Sequence, residues 1–310
     1  MSAPLFSQNI IALVWDFDKT LIPGYMQEPM FRHYDVDANQ FWSEVNQLPA
    51  EYQRRGVDLT VSEILYLNHI LDYTRRGIFS GLDNQRLKAF GAELEFYPGL
   101  PEFFVRLKHE VAEHKQFVDH DISMEHYIVS TGLRQMILGS AIAEHVDGVW
   151  GCELLEDECD GEFLVSQLGY VLDNTTKTRA LFEINKGVNK YPHEIDVNAQ
   201  MADGDRRVPF RNMIYVADGP SDVPVFSVLN RNGGRTYAVY RRGSQAQFKQ
   251  VNQLLRDGRV QAFGEADYTS GSQTSMWLSH AVSEVAQRIV DERQRVMREK
   301  ISKPPRHLNE

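Results

Sequence analysis

Cysteine is nearly absent: Cys152 and Cys159 are the only two in 310 residues. Their C-x6-C spacing fits no metal signature, and a lone disulfide is a weak framework for a chain this long, so both read as reduced thiols. Positive charge is also short, with 33 Lys and Arg against 43 Asp and Glu and a formal charge of −10. That balance argues against a nucleic-acid or anionic-membrane surface, which needs clustered Lys and Arg. An anionic small substrate stays open, because one metal ion and one lysine can reverse the local field. Long apolar runs are missing too. No window of about 18 apolar residues offers a membrane span. Ahead of Asp16 there is no basic region and an apolar run of only six residues, so the expectation is a cytoplasmic protein. The ten histidines include His109, His114, His120 and His126, and none sits in H-E-x-x-H or a nucleophile elbow. Most read as solvated.

What is present is an ordinary globular composition, 42% hydrophobic and 25% charged, long enough for one large domain or a core with a smaller partner. Four short, ungapped apolar runs, Ile10–Trp15, His126–Ser130, Met213–Ala217 and Thr236–Tyr240, predict strands covered on both faces. Helical patterns follow them: Leu100–Glu113 after Pro98-Gly99, a segment through Met136 and Ile137, and one through Val225, Phe226 and Leu229. The alternation predicts a doubly wound, parallel α/β sheet whose ligand lies beyond the carboxyl ends of the strands.

Residues 23–96 break this rhythm. They read as helices Glu28–Leu48, Val61–Tyr73 and Leu82–Phe90, separated by Pro49, Gly56, Gly77 and Gly81. About 70 residues far exceed an ordinary crossover, so the block is expected to be a helical cap on a core made of 1–22 and 97–310. Asp160–Val171 reads as a short hairpin around Asp160-Gly161, and the polar stretch Gly187–Asn212 as a solvated loop. Leu278, Val282, Val285 and Ile289 mark a last amphipathic helix, and Pro304-Pro305 begins a tail expected to be disordered.

Polar residues of particular types follow the strands. Asp16 and Asp18 come after the first, with Thr20 close behind; Ser130 and then Thr131-Gly132 after the second; Asp218 and Asp222 after the third. Lys177 opens the helix between the last two groups. Carboxylates converging without a partner repel strongly, and a hard divalent cation with a substrate phosphate resolves the repulsion.

The ordered set resembles the haloacid dehalogenase superfamily, most closely its phosphoserine phosphatase-like branch with a helical cap. Asp16-Phe17-Asp18-Lys19-Thr20-Leu21 matches its first motif, Ser130 the second, Lys177 the third, and Asp218 with Asp222 the fourth. Tyr97-Pro98-Gly99 and Asp222-Val223-Pro224 match branch features. The resemblance implies a Rossmann-like core and a Mg2+-dependent phosphatase acting on a small phosphorylated metabolite. Asp16 would be the nucleophile and Asp18 the acid–base group. Ser130, Thr131 and Gly132, with a helix N-terminus, would hold the phosphoryl oxygens, and Lys177 would neutralise charge. Asp16, Asp18, Asp218 and Asp222 would serve the metal. Tyr25 stands where phosphoserine phosphatases usually have the glutamate that holds the substrate amine.

Two alternatives share the fold, a phosphotransferase and a 2-haloacid dehalogenase; the latter needs neither Asp18 nor Asp218. Arg54, Arg55, Arg75 and Arg76 could grip a second anionic group, although a solvated helix face is the expectation. The substrate and the oligomeric state stay open.

Overall fold

The protein is described by a computed structural model covering residues 5–159 and 161–301. Among these residues one sheet contains β1 (Ile10–Trp15), β2 (Ser123–Leu133), β3 (Gly148–Cys159), β4 (Glu162–Tyr170), β5 (Met213–Ala217), β6 (Arg235–Tyr240) and β7 (Ala262–Glu265). Their order is β4-β3-β2-β1-β5-β6-β7, parallel throughout except for the antiparallel β3–β4 pair. The ungapped composition of β1 and β5 has a physical reason. Helices cover the sheet on both faces, and all five residues of β5 are buried. The α/β reading holds.

Register places the site. Trp15 is level with Ile128 on β2 and with Val216 on β5. Asp16, just past the end of β1, is therefore at nearly the same height as Ser130 on β2 to one side and Asp218 after β5 to the other. The chain winds outward from β1 in both directions, which makes this a topological switch point with a crevice at the carboxyl ends.

The structure differs from the sequence reading in several elements. β3 and β7 are not expected as strands, whereas β4 falls within the expected hairpin. The hairpin is longer than Asp160–Val171, because β3 begins at Gly148; Asp160 itself lies outside the described residues. β2 runs on through Thr131 and Gly132 to Leu133, and the next helix, Arg134–Gly139, has only six residues. The last helix spans Gln273–Ile301, and Pro304-Pro305 is outside the described residues. Gly187–Asn212 is irregular as expected but only partly solvated. Arg207 forms a buried ion pair with Glu125, Val208 and Asn212 are buried, and the Lys186 ammonium donates to the carbonyls of Val197 and Ala199.

Residues 23–96 contain helices Glu28–His33, Ala38–Arg54, Ser62–Arg75 and Asn84–Gly91. The expected first helix is split near Asp35, whose φ of 52° breaks the spiral; Asp37 then caps the next helix by accepting from the Gln40 amide. Pro49 does not end that helix but lies within it. The segment has an aromatic interior, in which Phe41 lies 4.7 Å from Phe31 and 5.4 Å from Tyr73 between ring centres.

One junction with the sheet layer is unusually close. A Cβ on Gly91 would lie 2.0 Å from the carbonyl oxygen of Met136, and one on Gly139 would lie 1.8 Å from that of Lys88. Helices Asn84–Gly91 and Arg134–Gly139 thus meet backbone to backbone, which only glycine permits at these positions.

Candidate active site

A buried strand that ends in a carboxylate needs a partner for the charge. For Asp16, 6% exposed, the partner is Lys177, whose ammonium donates to Asp16 Oδ1 at 2.7 Å. The same ammonium donates to Asp222 Oδ1 at 2.7 Å. Lys177 is 1% exposed and Asp222 wholly buried, so one cation bridges two buried anions. Thr20 completes Asp16 by donating to Oδ2 at 3.3 Å. Asp222 is further held by the Tyr215 hydroxyl at 2.6 Å and the Ser221 hydroxyl at 2.8 Å.

Ligand atoms of Asp16, Asp218 and Asp222 lie within 4.8 Å of one another. One lysine does not balance three carboxylates. Burial, opposed by Lys177 and reinforced by Asp222, raises the Asp16 carboxyl to about 6. Burial, then Asp16 and Asp222, hold Asp218 well above the usual carboxylate range. Asp18 does not join this trio; its Oδ1 accepts from the Met26 amide at 2.9 Å. Burial and the neighbouring Asp16 raise it to about 7.

Ser130 is 1% exposed and accepts the Gly132 amide on its hydroxyl at 3.0 Å. A Cβ on Gly132 would come within 2.2 Å of the Met26 methyl, so the glycine here admits a side chain from across the crevice. The Tyr66 hydroxyl donates to the Thr131 carbonyl at 2.7 Å, a second contact between the helical segment and this loop.

All eight residues singled out from the sequence sit at this end of the sheet. Several neighbours gave no sequence signal. Lys19, held at φ 57°, donates to the Tyr25 hydroxyl at 2.6 Å and its charge lowers the pKa values of Asp18 and Asp218. Tyr215 could have been suspected, since a tyrosine inside a fully buried strand needs a partner for its hydroxyl. Tyr66 and Met26 could not, because their partners lie far away in sequence. Of the expected solvated histidines, His126 is the clear exception. It is fully buried and accepts from the Trp15 indole at 3.2 Å.

No family model matches the sequence. An uncharacterised protein from Borreliella burgdorferi is 38% identical over 290 residues, spanning 89% of this chain and 97% of its own. Among solved structures, a HAD-family hydrolase from Salmonella enterica serovar Typhi aligns with a TM-score of 0.50 at 16% identity, covering 84% of this chain and 68% of that one. A probable phosphoserine phosphatase from Vibrio cholerae gives 0.47 at 15% identity, covering 92% and 68%. The chain therefore belongs to one family with the Borreliella protein, and its fold is that of the haloacid dehalogenase superfamily.

Proposed function

We propose that the chain is a Mg2+-dependent phosphomonoester hydrolase that works through an aspartyl-phosphate on Asp16. The observation that supports this reading is three clustered carboxylates served by a single buried ammonium. An all-oxygen set with excess negative charge suits a hard divalent cation. Asp16, Asp218 and Asp222 would hold the ion, which when bound would neutralise charge on the phosphoryl oxygens.

The chain's own residues account for the rest. An Asp16 carboxylate oxygen attacks phosphorus, and the bond to the ester oxygen breaks as Asp18 gives that oxygen its proton. Asp18, now a carboxylate, takes a proton from water; the water oxygen attacks phosphorus, the bond to Asp16 breaks and phosphate leaves. A carboxyl near pH 7 suits both duties. Lys177 keeps Asp16 ionised and aimed, and Ser130, Thr131 and Gly132 hold the phosphoryl oxygens. Residues 23–96 form the cap over this crevice, which restricts the substrate to a small phosphorylated metabolite.

The test is hydrolysis of an aryl phosphate by the purified chain. Activity should require Mg2+ and vanish in excess EDTA; full activity in EDTA would remove the metal from the reading. Asp16→Asn should abolish turnover while circular dichroism shows the fold retained, and persistent turnover would overturn the covalent step. Asp18→Asn should slow turnover about a hundredfold, most for poor leaving groups. Halide release from a 2-haloacid without phosphatase activity would favour the dehalogenase instead.

A further inference from the structure

Tyr97 precedes the Pro98-Gly99 turn, and its amide donates to the Leu21 carbonyl at 2.9 Å, which fixes it beside the loop bearing Asp16 and Asp18. The residue is 7% exposed, yet its hydroxyl has no hydrogen-bond partner among the described residues. Buried tyrosine hydroxyls ordinarily find one, so an orphan at the edge of a catalytic crevice marks a place where something else binds.

Its surroundings indicate what. Burial raises the hydroxyl to about 12, while the charge of Arg241 draws it down and that of Asp218 pushes it up. Asp218 follows β5 directly and Arg241 follows β6 directly, on neighbouring parallel strands. The orphan hydroxyl therefore belongs to the same end of the sheet as the catalytic carboxylates. Among the described residues Arg241 has no side-chain hydrogen bond or ion pair, whereas the adjacent Arg242 lies 3.7 Å from Glu265. The cap arginines are already engaged. Arg55 pairs with Glu51, and Arg75 and Arg76 pair with Asp72, each within its own helix region.

We propose that Tyr97 and Arg241 form a second anion-binding subsite beside the phosphoryl site, so that the chain selects small phosphomonoesters carrying a second acidic group. The inference rests on the phosphatase reading above. A carboxylate or a second phosphate would accept from the Tyr97 hydroxyl and take a forked contact from the Arg241 guanidinium.

The experiment measures kcat/KM of the full chain with Mg2+ on three probes of similar size: phosphoglycolate, a short-chain diol bisphosphate and propyl phosphate. The native chain should favour one or both acidic probes over propyl phosphate by at least tenfold, and which one identifies the second group as carboxylate or phosphate. Arg241→Gln should collapse that ratio by tenfold or more, mainly through KM. Tyr97→Phe should reduce it severalfold, and melting shifts caused by the acidic probes should shrink in parallel. Equal use of all three probes by the native chain, or ratios untouched in both variants, would overturn the subsite while leaving the phosphatase reading standing. A Tyr97→Phe chain with an altered Mg2+ requirement and an unchanged probe ranking would also overturn it, since the hydroxyl would then serve the metal's water shell. Absence of turnover on every probe and on an aryl phosphate would instead strike the phosphatase reading itself.

Discussion

Lys177 shows how much one side chain can be asked to do. A fully buried ammonium is expensive to desolvate, and it persists because it touches Asp16 and Asp222 at once. Lys177→Met should lower metal-free stability by about 3–5 kcal/mol in urea unfolding, because it leaves buried carboxylates uncompensated. Mg2+ should restore part of the loss; a variant as stable as the native chain without metal would show that the bridge is not structural.

The titrating groups give stability a sign that depends on the metal. Asp16 and Asp18 have folded pKa values of about 6 and about 7, above the ordinary 3.8. The folded chain thus binds more protons than the unfolded one, and their contribution falls as pH rises from about 4 toward 7. His126 works oppositely. Burial first, then Lys108, lowers it from 6.5 to about 3, so stability falls by about 1.4 kcal/mol per unit as pH drops below about 6. In EDTA the carboxylates outnumber the histidine, and the melting temperature should decline from pH 5 to pH 6.5. Saturating Mg2+ favours the ionised carboxylates and should flatten that decline. A metal-free melting temperature that climbs over this range would contradict the assignment.

Among the elements, the paired helices Asn84–Gly91 and Arg134–Gly139 are the most sensitive junction. A methyl group at Gly91 or Gly139 meets a backbone oxygen on the other helix, which cannot move aside as a side-chain tip could. Gly91→Ala and Gly139→Ala should each destabilise the chain by about 1–3 kcal/mol in denaturant midpoints, as overpacking does. A neutral result at both would show that the helices separate freely. What could be read of each element before the fold was known follows from its surroundings. β1 and β5 are covered on both faces and are therefore ungapped apolar runs. β3 and β4 form a hairpin bearing Glu153, Glu156, Asp157 and Glu158, and a half-solvated ribbon leaves no such run. Pro49 was misleading because it is exposed and the helix continues through it to Arg54.

At the scale of the whole molecule, the helical segment and the sheet layer share one continuous hydrophobic core, from Phe41 and Leu65 through Met136 to Ile214. The segment also bonds to the hairpin, where the Val165 backbone amide donates to the Leu82 carbonyl and the Asn84 side-chain amide to the Leu154 carbonyl. Replacing residues 24–95 by a Gly/Ser linker should therefore lower the melting temperature sharply, by ten degrees or more on the scale of about 2–4 °C per kcal/mol for chains of 150–250 residues. Unchanged melting would show that the two parts are independent. The chemistry of the crevice was legible because Asp16 and Asp218 directly follow buried apolar runs and Ser130 ends another, in an order that register converts into proximity. Tyr66 was not, since nothing local in the sequence distinguishes a phenol that faces a site from one that faces water.

The contact between Gly91 and Gly139 has a mechanical consequence. Two backbones pressed together with no side chains between them have no slack, so the two helices cannot slide past each other without parting. Because Arg134–Gly139 follows β2 directly, the contact fixes the helical segment against the strand that carries Ser130, Thr131 and Gly132.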